Sequence, residues 1–276
     1  TFNHKFQKDY FYLNNQLQNK KDTDKVSKFL DLFRKDSNLN LKAQINSKNY
    51  VPTAAGLASS ASGYAALGVA ANIASGLNLK PRELSMYTRQ GSGSASRSIY
   101  GGFVEWKKGT SKEDSYATKI NDAKWDIGMI RVVVNSQKKA ISSRQGMKHT
   151  VATSPFYSEW MLAAEKDIKE AKLAIKNKDF EKLGIVTERN GLMMYATMLA
   201  AKPPISYWEP ESILVMQIVR ELRDKGIPCY FTMDAGPNVK ILCRLSQSHK
   251  IKERLEQIFE EDRIIISKPG PGPIIL

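Results

Sequence analysis

From Val51 to Leu79 the chain carries no charged residue, although 25% of its residues overall are charged. The run opens PTAAGLASSAS and continues as alanines spaced among Tyr64, Leu67, Val69, Ile73 and Leu77. A stretch of this kind must span a bilayer, link two bodies or be buried. Its length would suffice for a span, which takes about 20 residues. Thr53, Ser59, Ser60, Ser62, Asn72, Ser75 and Asn78 interrupt it, however, and strong hydrophobes are sparse, which argues against the membrane. From Ser60 onward the pattern predicts a helix packed closely on most sides, entered through a loop marked by Pro52 and Gly56.

Around this run the chain alternates helix and strand signals. Val26, Phe29, Leu30 and Phe33 stand at i, i+3, i+4 and i+7, with Asp22 or Thr23 as candidate caps. Leu39, Leu41, Ala43 and Ile45 alternate with polar residues as a strand does. Pro81 starts a further helix that ends at GSGSASRS, and IYGGFVEW and IGMIRVVVN read as strands. The charged stretch between them reads as a surface excursion near a domain boundary. A long helix follows, with Ser154 as cap and Pro155 in its first turn; others cover about 179 to 199, 210 to 225 and 248 to 261. CYFTMDAGPNVKILC reads as two strands around a turn, and RIIIS as a last strand before the tail KPGPGPIIL. The 276 residues fit two modest domains, with boundaries expected at 1–126 and 127–276, and an α+β architecture.

The 42 basic and 28 acidic residues leave a formal net charge of +14, which favours anionic partners: nucleic acid, acidic lipid or small phosphorylated substrates. The basic residues are scattered, not interleaved with aromatics, which disfavours an RNA-binding protein. Cys229 and Cys243 fit no metal or disulfide spacing and read as buried, reduced thiols. The first residues, TFNHKFQKDY, do not read as a secretory signal, so the expectation is a cytoplasmic protein. His4, His149 and His249 stand apart in charged or loop-like contexts, and no metal-ligand set is read from them.

Three loops could hold an anion and act on it. In PTAAGLASSAS, small residues allow close backbone approach, and the following helix offers free N–H groups with Ser59, Ser60 and Ser62 as hydroxyl donors. It lacks the Lys-Ser/Thr ending of a Walker P-loop, and tight packing explains it equally well. In RQGSGSASRS, Ser92 and Ser94 could donate to an anion while Arg97 grips a carboxylate or phosphate in a fork; a flexible linker is the alternative. In TMDAGPN, Asp234 ends an apolar strand, either as a turn-forming residue or as a carboxylate held rigidly enough to orient or deprotonate a hydroxyl.

Taken together, NYVPTAAGLASSASGYAAL, RQGSGSASRSIYGGFVEW, ISSRQGM, PPISY and YFTMDAGPNVKIL resemble, in order, the GHMP kinase superfamily, and within it the diphosphomevalonate decarboxylase family. The resemblance covers essentially the whole chain. It implies an N-terminal domain like the second domain of ribosomal protein S5 and a ferredoxin-like C-terminal domain, commonly as a homodimer. It also implies use of ATP and Mg²⁺ to convert mevalonate 5-diphosphate into isopentenyl diphosphate. By matching position it places Ala55, Gly56, Leu57, Ala58, Ser59, Ser60 and Ser62 around the ATP phosphates. Ser92, Ser94, Arg97, Ser143 and Arg144 fall on the substrate, and Asp234 at the catalytic aspartate, with Arg97 holding the departing carboxylate. Lys138 and Lys139 are candidates for the nucleotide phosphates. Within the superfamily, a kinase acting on mevalonate or a relative without decarboxylation is the alternative. The family's N-terminal strand with its lysine and Tyr-Trp-Gly-Lys element has no match here, and is expected to lie outside these residues. Tyr195 stands where relatives often carry histidine.

Overall fold

Phe29, Leu30 and Phe33 are buried to within a few per cent, and the helix that carries them organises the first of two compact units. The computed structural model describes residues 1–50, 59–111, 113–137 and 140–275, with Ser59 described by its backbone only. Among the described residues, the first unit comprises 1–50 and 59–122 together with the tail from Gly270, and the second is Ala123–Pro269.

In the first unit the strands β1 (Phe2–Asn3), β2 (Tyr10–Leu13) and β3 (Gln16–Leu17) precede the helix α1 (Lys20–Ser37), and β4 (Lys42–Ser47) follows it. The sheet order is β1-β4-β2-β3, with β2 and β4 parallel. The cap of α1 is Asn19, whose side chain accepts from the Asp22 N–H at 2.9 Å, and not Asp22 or Thr23 as expected. Asp22 instead sits in the first turn, where a carboxylate favours the helix dipole. The strands β1 to β3 escape prediction because each is too short to show alternation.

The uncharged run supplies α2 (Ser59–Ala74), packed on α3 (Pro81–Gly91). Ala61, Ala65 and Ala71 are buried, and Gly68 lies so near the Thr88 methyl of α3 that a Cβ there would clash. Small residues thus set the spacing of the two helices. The expected loop at Pro52–Ala58 lies outside the described residues. No helix among the described residues is long and apolar enough to cross a membrane. A 3₁₀ helix (Gly93–Ile99) leads to the hairpin β5 (Phe103–Trp106) and β6 (Ala117–Asn121). The charged stretch expected to be a surface excursion therefore contains a strand, since an edge hairpin tolerates the polar residues that hid it from a hydrophobic pattern.

The second unit is a four-stranded antiparallel sheet ordered β10-β7-β9-β8, formed by β7 (Gly128–Val132), β8 (Cys229–Met233), β9 (Val239–Cys243) and β10 (Ile264–Ser267). The helices α4 (Ser143–Thr153), α5 (Tyr157–Asn177), α6 (Phe180–Leu199) and α7 (Pro210–Asp224) lie between β7 and β8, and α8 (Ser248–Glu256) precedes β10. Phe231, Ile241 and Ile130 face one another across three strands and join Val215, Ile218, Val219, Ile251 and Leu255 of α7 and α8 in the core. The helix α6 crosses the other face, with Gly184 against the Tyr230 ring and Gly191 over Thr232.

ISSRQGM begins α4: Ser142 and Gln145 form a reciprocal capping box. Ser154 closes that helix instead of capping the next one, which starts at Tyr157. The last helix stops at Glu256, short of the expected 261. Cys229 and Cys243 are directly opposed across β8 and β9, buried and free, and burial pushes each thiol up to about 12.

Candidate functional site

In the second unit the turn between β8 and β9 is held by side chains from three helices. Tyr195 of α6, fully buried and stacked on Trp208, donates its hydroxyl to the carbonyls of Asp234 at 2.9 Å and Gly236 at 2.7 Å. Burial keeps that phenol well above its usual range, so it acts as a neutral donor. Ser143 of α4 donates to the Ala235 carbonyl at 3.2 Å, and Ser212 of α7 to the Pro237 carbonyl at 2.8 Å. Asn238 accepts from the N–H groups of Val134 and Asn135 at 2.8 and 3.0 Å. A backbone tied at four successive carbonyls and one side chain loses most of its freedom before any ligand arrives.

The side chain this turn presents is Asp234, 79% exposed, with its Oδ2 paired to the Lys240 ammonium. A carboxylate on a fixed backbone but open to solvent is suited to orienting a hydroxyl or taking its proton. Ser143 and Arg144 occupy the first turn of α4, where free N–H groups and the helix dipole favour an anion. Arg144 is exposed.

In the first unit, Ser60 at the start of α2, Ser92 at the end of α3 and Ser94 in the 3₁₀ helix form a ladder of hydroxyls. Ser60 Oγ lies 3.4 Å from Ser92 Oγ, which lies 3.3 Å from Ser94 Oγ. The ladder exists because the chain packs tightly behind it: a Cβ at Gly93 would lie 2.7 Å from the Trp106 ring. Arg97 and Ser62 line an open groove of about 610 Å³ with Tyr100, Phe103 and the tail Gly270–Pro273. Gly101 permits this seat, since a Cβ on it would strike the Pro271 and Gly272 backbone, and the neighbouring Gly102 N–H donates to the Gly270 carbonyl at 3.2 Å.

The structure thus brings Ser60, Ser92 and Ser94 together, sets Ser62 and Arg97 on one groove, and places Ser143 beside the Asp234 turn. Ala55, Gly56, Leu57, Ala58, Lys138 and Lys139, and the Ser59 side chain, lie outside the described residues. Sequence reasoning gave no role to Tyr195, whose partners stand 39 and 41 residues away, and none to Lys240. The signal available for Lys240 was the hairpin itself: a turn of this length sets it opposite Thr232, within reach of Asp234.

The geometry finds close counterparts among known proteins. The family described as "Diphosphomevalonate decarboxylase-like N-terminal domain" matches residues 1–117, and "Mevalonate 5-diphosphate decarboxylase C-terminal domain" matches residues 129–269. The diphosphomevalonate decarboxylase of Candida albicans is 34% identical over 97% of this chain and 83% of its own length. Mevalonate diphosphate decarboxylase from Staphylococcus aureus superposes with a TM-score of 0.94 at 48% identity, covering 98% of this chain and 83% of that one. MDDEF in complex with MVAPP, AMPPCP and magnesium superposes with a TM-score of 0.91, also at 48% identity, covering 98% of this chain and 84% of that one.

Proposed function

This chain belongs to the diphosphomevalonate decarboxylase family, and from that premise we propose which of its residues carry the reaction. The activity is ATP-dependent decarboxylation of mevalonate 5-diphosphate to isopentenyl diphosphate, in the mevalonate pathway of isoprenoid synthesis, by way of phosphorylation at the 3-hydroxyl.

The observation that carries the assignment of roles is Asp234, an exposed carboxylate on a turn whose carbonyls are held by Ser143, Tyr195 and Ser212. A tertiary hydroxyl is a poor leaving group, so the 3-hydroxyl is first phosphorylated. Asp234 orients it or takes its proton as it attacks. The O–P bond forms as ADP leaves; the phosphate then departs with the C3–O electrons. The C–C bond to the carboxylate breaks to release carbon dioxide, and its electron pair becomes the double bond. The Arg97 fork holds that carboxylate in line, and Ser92, Ser94, Ser143 and Arg144 hold the diphosphate end. The segment PTAAGLASSAS, from which Ser60 and Ser62 are described, cradles the ATP phosphates, with Lys138 and Lys139 adding charge.

Among the described residues there is no cluster of three His, Cys, Asp or Glu side chains. The donors on offer for Mg²⁺ are hydroxyls such as Ser60 and the phosphates of the nucleotide. That set fits an ion which keeps several waters and rides on phosphate oxygens. Bound there it neutralises charge on the phosphates. We also propose a cytoplasmic homodimer, in keeping with the family resemblance.

The test is to incubate the protein with ATP, Mg²⁺ and mevalonate 5-diphosphate and follow ADP and isopentenyl diphosphate together. Equal release of both is expected. ADP without the alkene would leave a kinase in place of a decarboxylase.

A further inference from the structure

The ion pair at Asp234 has an unusual foundation. Thr232 of β8 stands opposite Lys240 of β9, and Lys240 opposite Arg131 of β7. Directly opposed residues of antiparallel strands share a face. Lys240 and Arg131 therefore lie side by side on the face that α6 covers, away from the core row of Phe231, Ile241 and Ile130. The Lys240 side chain is only 14% exposed. The Nε of Arg131 is buried and meets no acceptor among the described residues. Burial draws the pKa of that guanidinium down, and the negative charge of Asp234 acts against the shift.

Two neighbouring cations, both drawn out of water, destabilise a sheet. A pair with a carboxylate as open to solvent as Asp234 returns little stability, because water screens it. Stability does not account for this arrangement. Presentation of the carboxylate does: the terminal torsion of an aspartate is broad and roughly two-fold, so a fixed backbone alone does not fix its oxygens.

We infer that Lys240, backed by Arg131, is the positioning residue for Asp234: its ammonium holds Oδ2 and turns Oδ1 toward the hydroxyl that is to be phosphorylated. This rests on the function proposed above. The Lys240 side chain is largely buried, so a side chain that is flexible on most surfaces has one place to put its charge.

Single-turnover rates, KM for mevalonate 5-diphosphate and thermal midpoints are to be measured for the wild type, Lys240→Met, Lys240→Arg, Asp234→Asn and the double variant Asp234→Asn/Lys240→Met. Lys240→Met is expected to lose about 10- to 100-fold in rate, part of the range that a catalytic carboxylate contributes, with KM unchanged. Lys240→Arg restores most of the rate. On the Asp234→Asn background the same substitution costs nothing further, which a general structural role would not produce. Lys240→Gln, which keeps a donor without the charge, carries the same test if the methionine variant does not fold. An unchanged rate in Lys240→Met, or an undiminished loss on the Asp234→Asn background, overturns the positioning role while leaving the function intact. A wild type that makes no isopentenyl diphosphate overturns the functional reading and this inference with it.

Discussion

Each unit contains an aspartate paired with a cation from another element of its fold, and the two pairs are built in opposite ways. In the first unit Asp9 and Arg34 are both buried, with side chains 5% and 10% exposed, 2.6 Å apart. Asp9 also accepts from the Ala43 N–H at 2.7 Å, so it ties the loop before β2 to α1 and β4. In the second unit the cation is buried and the carboxylate stands in solvent. A carboxylate enclosed by its donors has no capacity left for a ligand; one held from beneath has its open side to offer. On the roles proposed above, the comparison separates a pair that maintains a fold from a pair that serves chemistry.

The largest effect on stability is expected from Asp9→Ala, which leaves Arg34 buried and short of a partner. Breaking such a pair costs about 3 to 5 kcal/mol, and the low end applies because Arg34 keeps Asp31 at 2.7 Å and the Leu41 carbonyl at 2.9 Å. Denaturant unfolding measures this. Turnover per folded molecule should not change. The same pair sets an acid limit. Burial pushes the Asp9 carboxyl up, but hydrogen bonds from Ser27, Ala43 and Arg34 outweigh it and hold the group below its usual range. A lowered folded value means that the contribution is complete above the unfolded value of about 4 and is lost as pH falls through the folded one. Asp9→Asn should therefore flatten the stability profile below about pH 4.

Tyr195→Phe comes next. It leaves the carbonyls of Asp234 and Gly236 without their donor in a buried setting, at a cost of about 1 to 3 kcal/mol. Because the turn loosens, kcat should fall while KM for mevalonate 5-diphosphate holds. A loss of stability with no change in kcat would show that the turn's rigidity does not matter to the reaction. The smallest effect is expected from Arg97→Lys. A point charge cannot replace the guanidinium fork, so KM rises about tenfold with the thermal midpoint unchanged. Unchanged kinetics would remove Arg97 from the substrate grip.

Much of this was legible in the sequence, for identifiable reasons. The spacing of Val26, Phe29, Leu30 and Phe33 announces α1 because burial of one helix face imposes a period that survives in the letters. The alanine-rich run announces a closely packed helix because only small side chains let α2 approach α3. Asp234 was marked by its place between an apolar strand and a Gly-Pro turn, and the serines of GSGSASRS by their small neighbours. Tyr195 was not legible, and Lys240 only through the hairpin that carries it. Their contacts depend on helix placement and strand register, which appear only once the chain is folded. The strand β6 was hidden for a different reason: the polar residues of a half-buried two-stranded hairpin obscure its pattern.

The most direct test of the account is Asp234→Asn, measured for kcat, nucleotide affinity and unfolding free energy in one preparation. A solvent-facing carboxylate serving chemistry should lose about 10² to 10⁴ in kcat with nucleotide affinity preserved and stability changed by less than about 1 kcal/mol. Near-native turnover, or a loss of stability on the scale of Asp9→Ala, would contradict the division between the two aspartates.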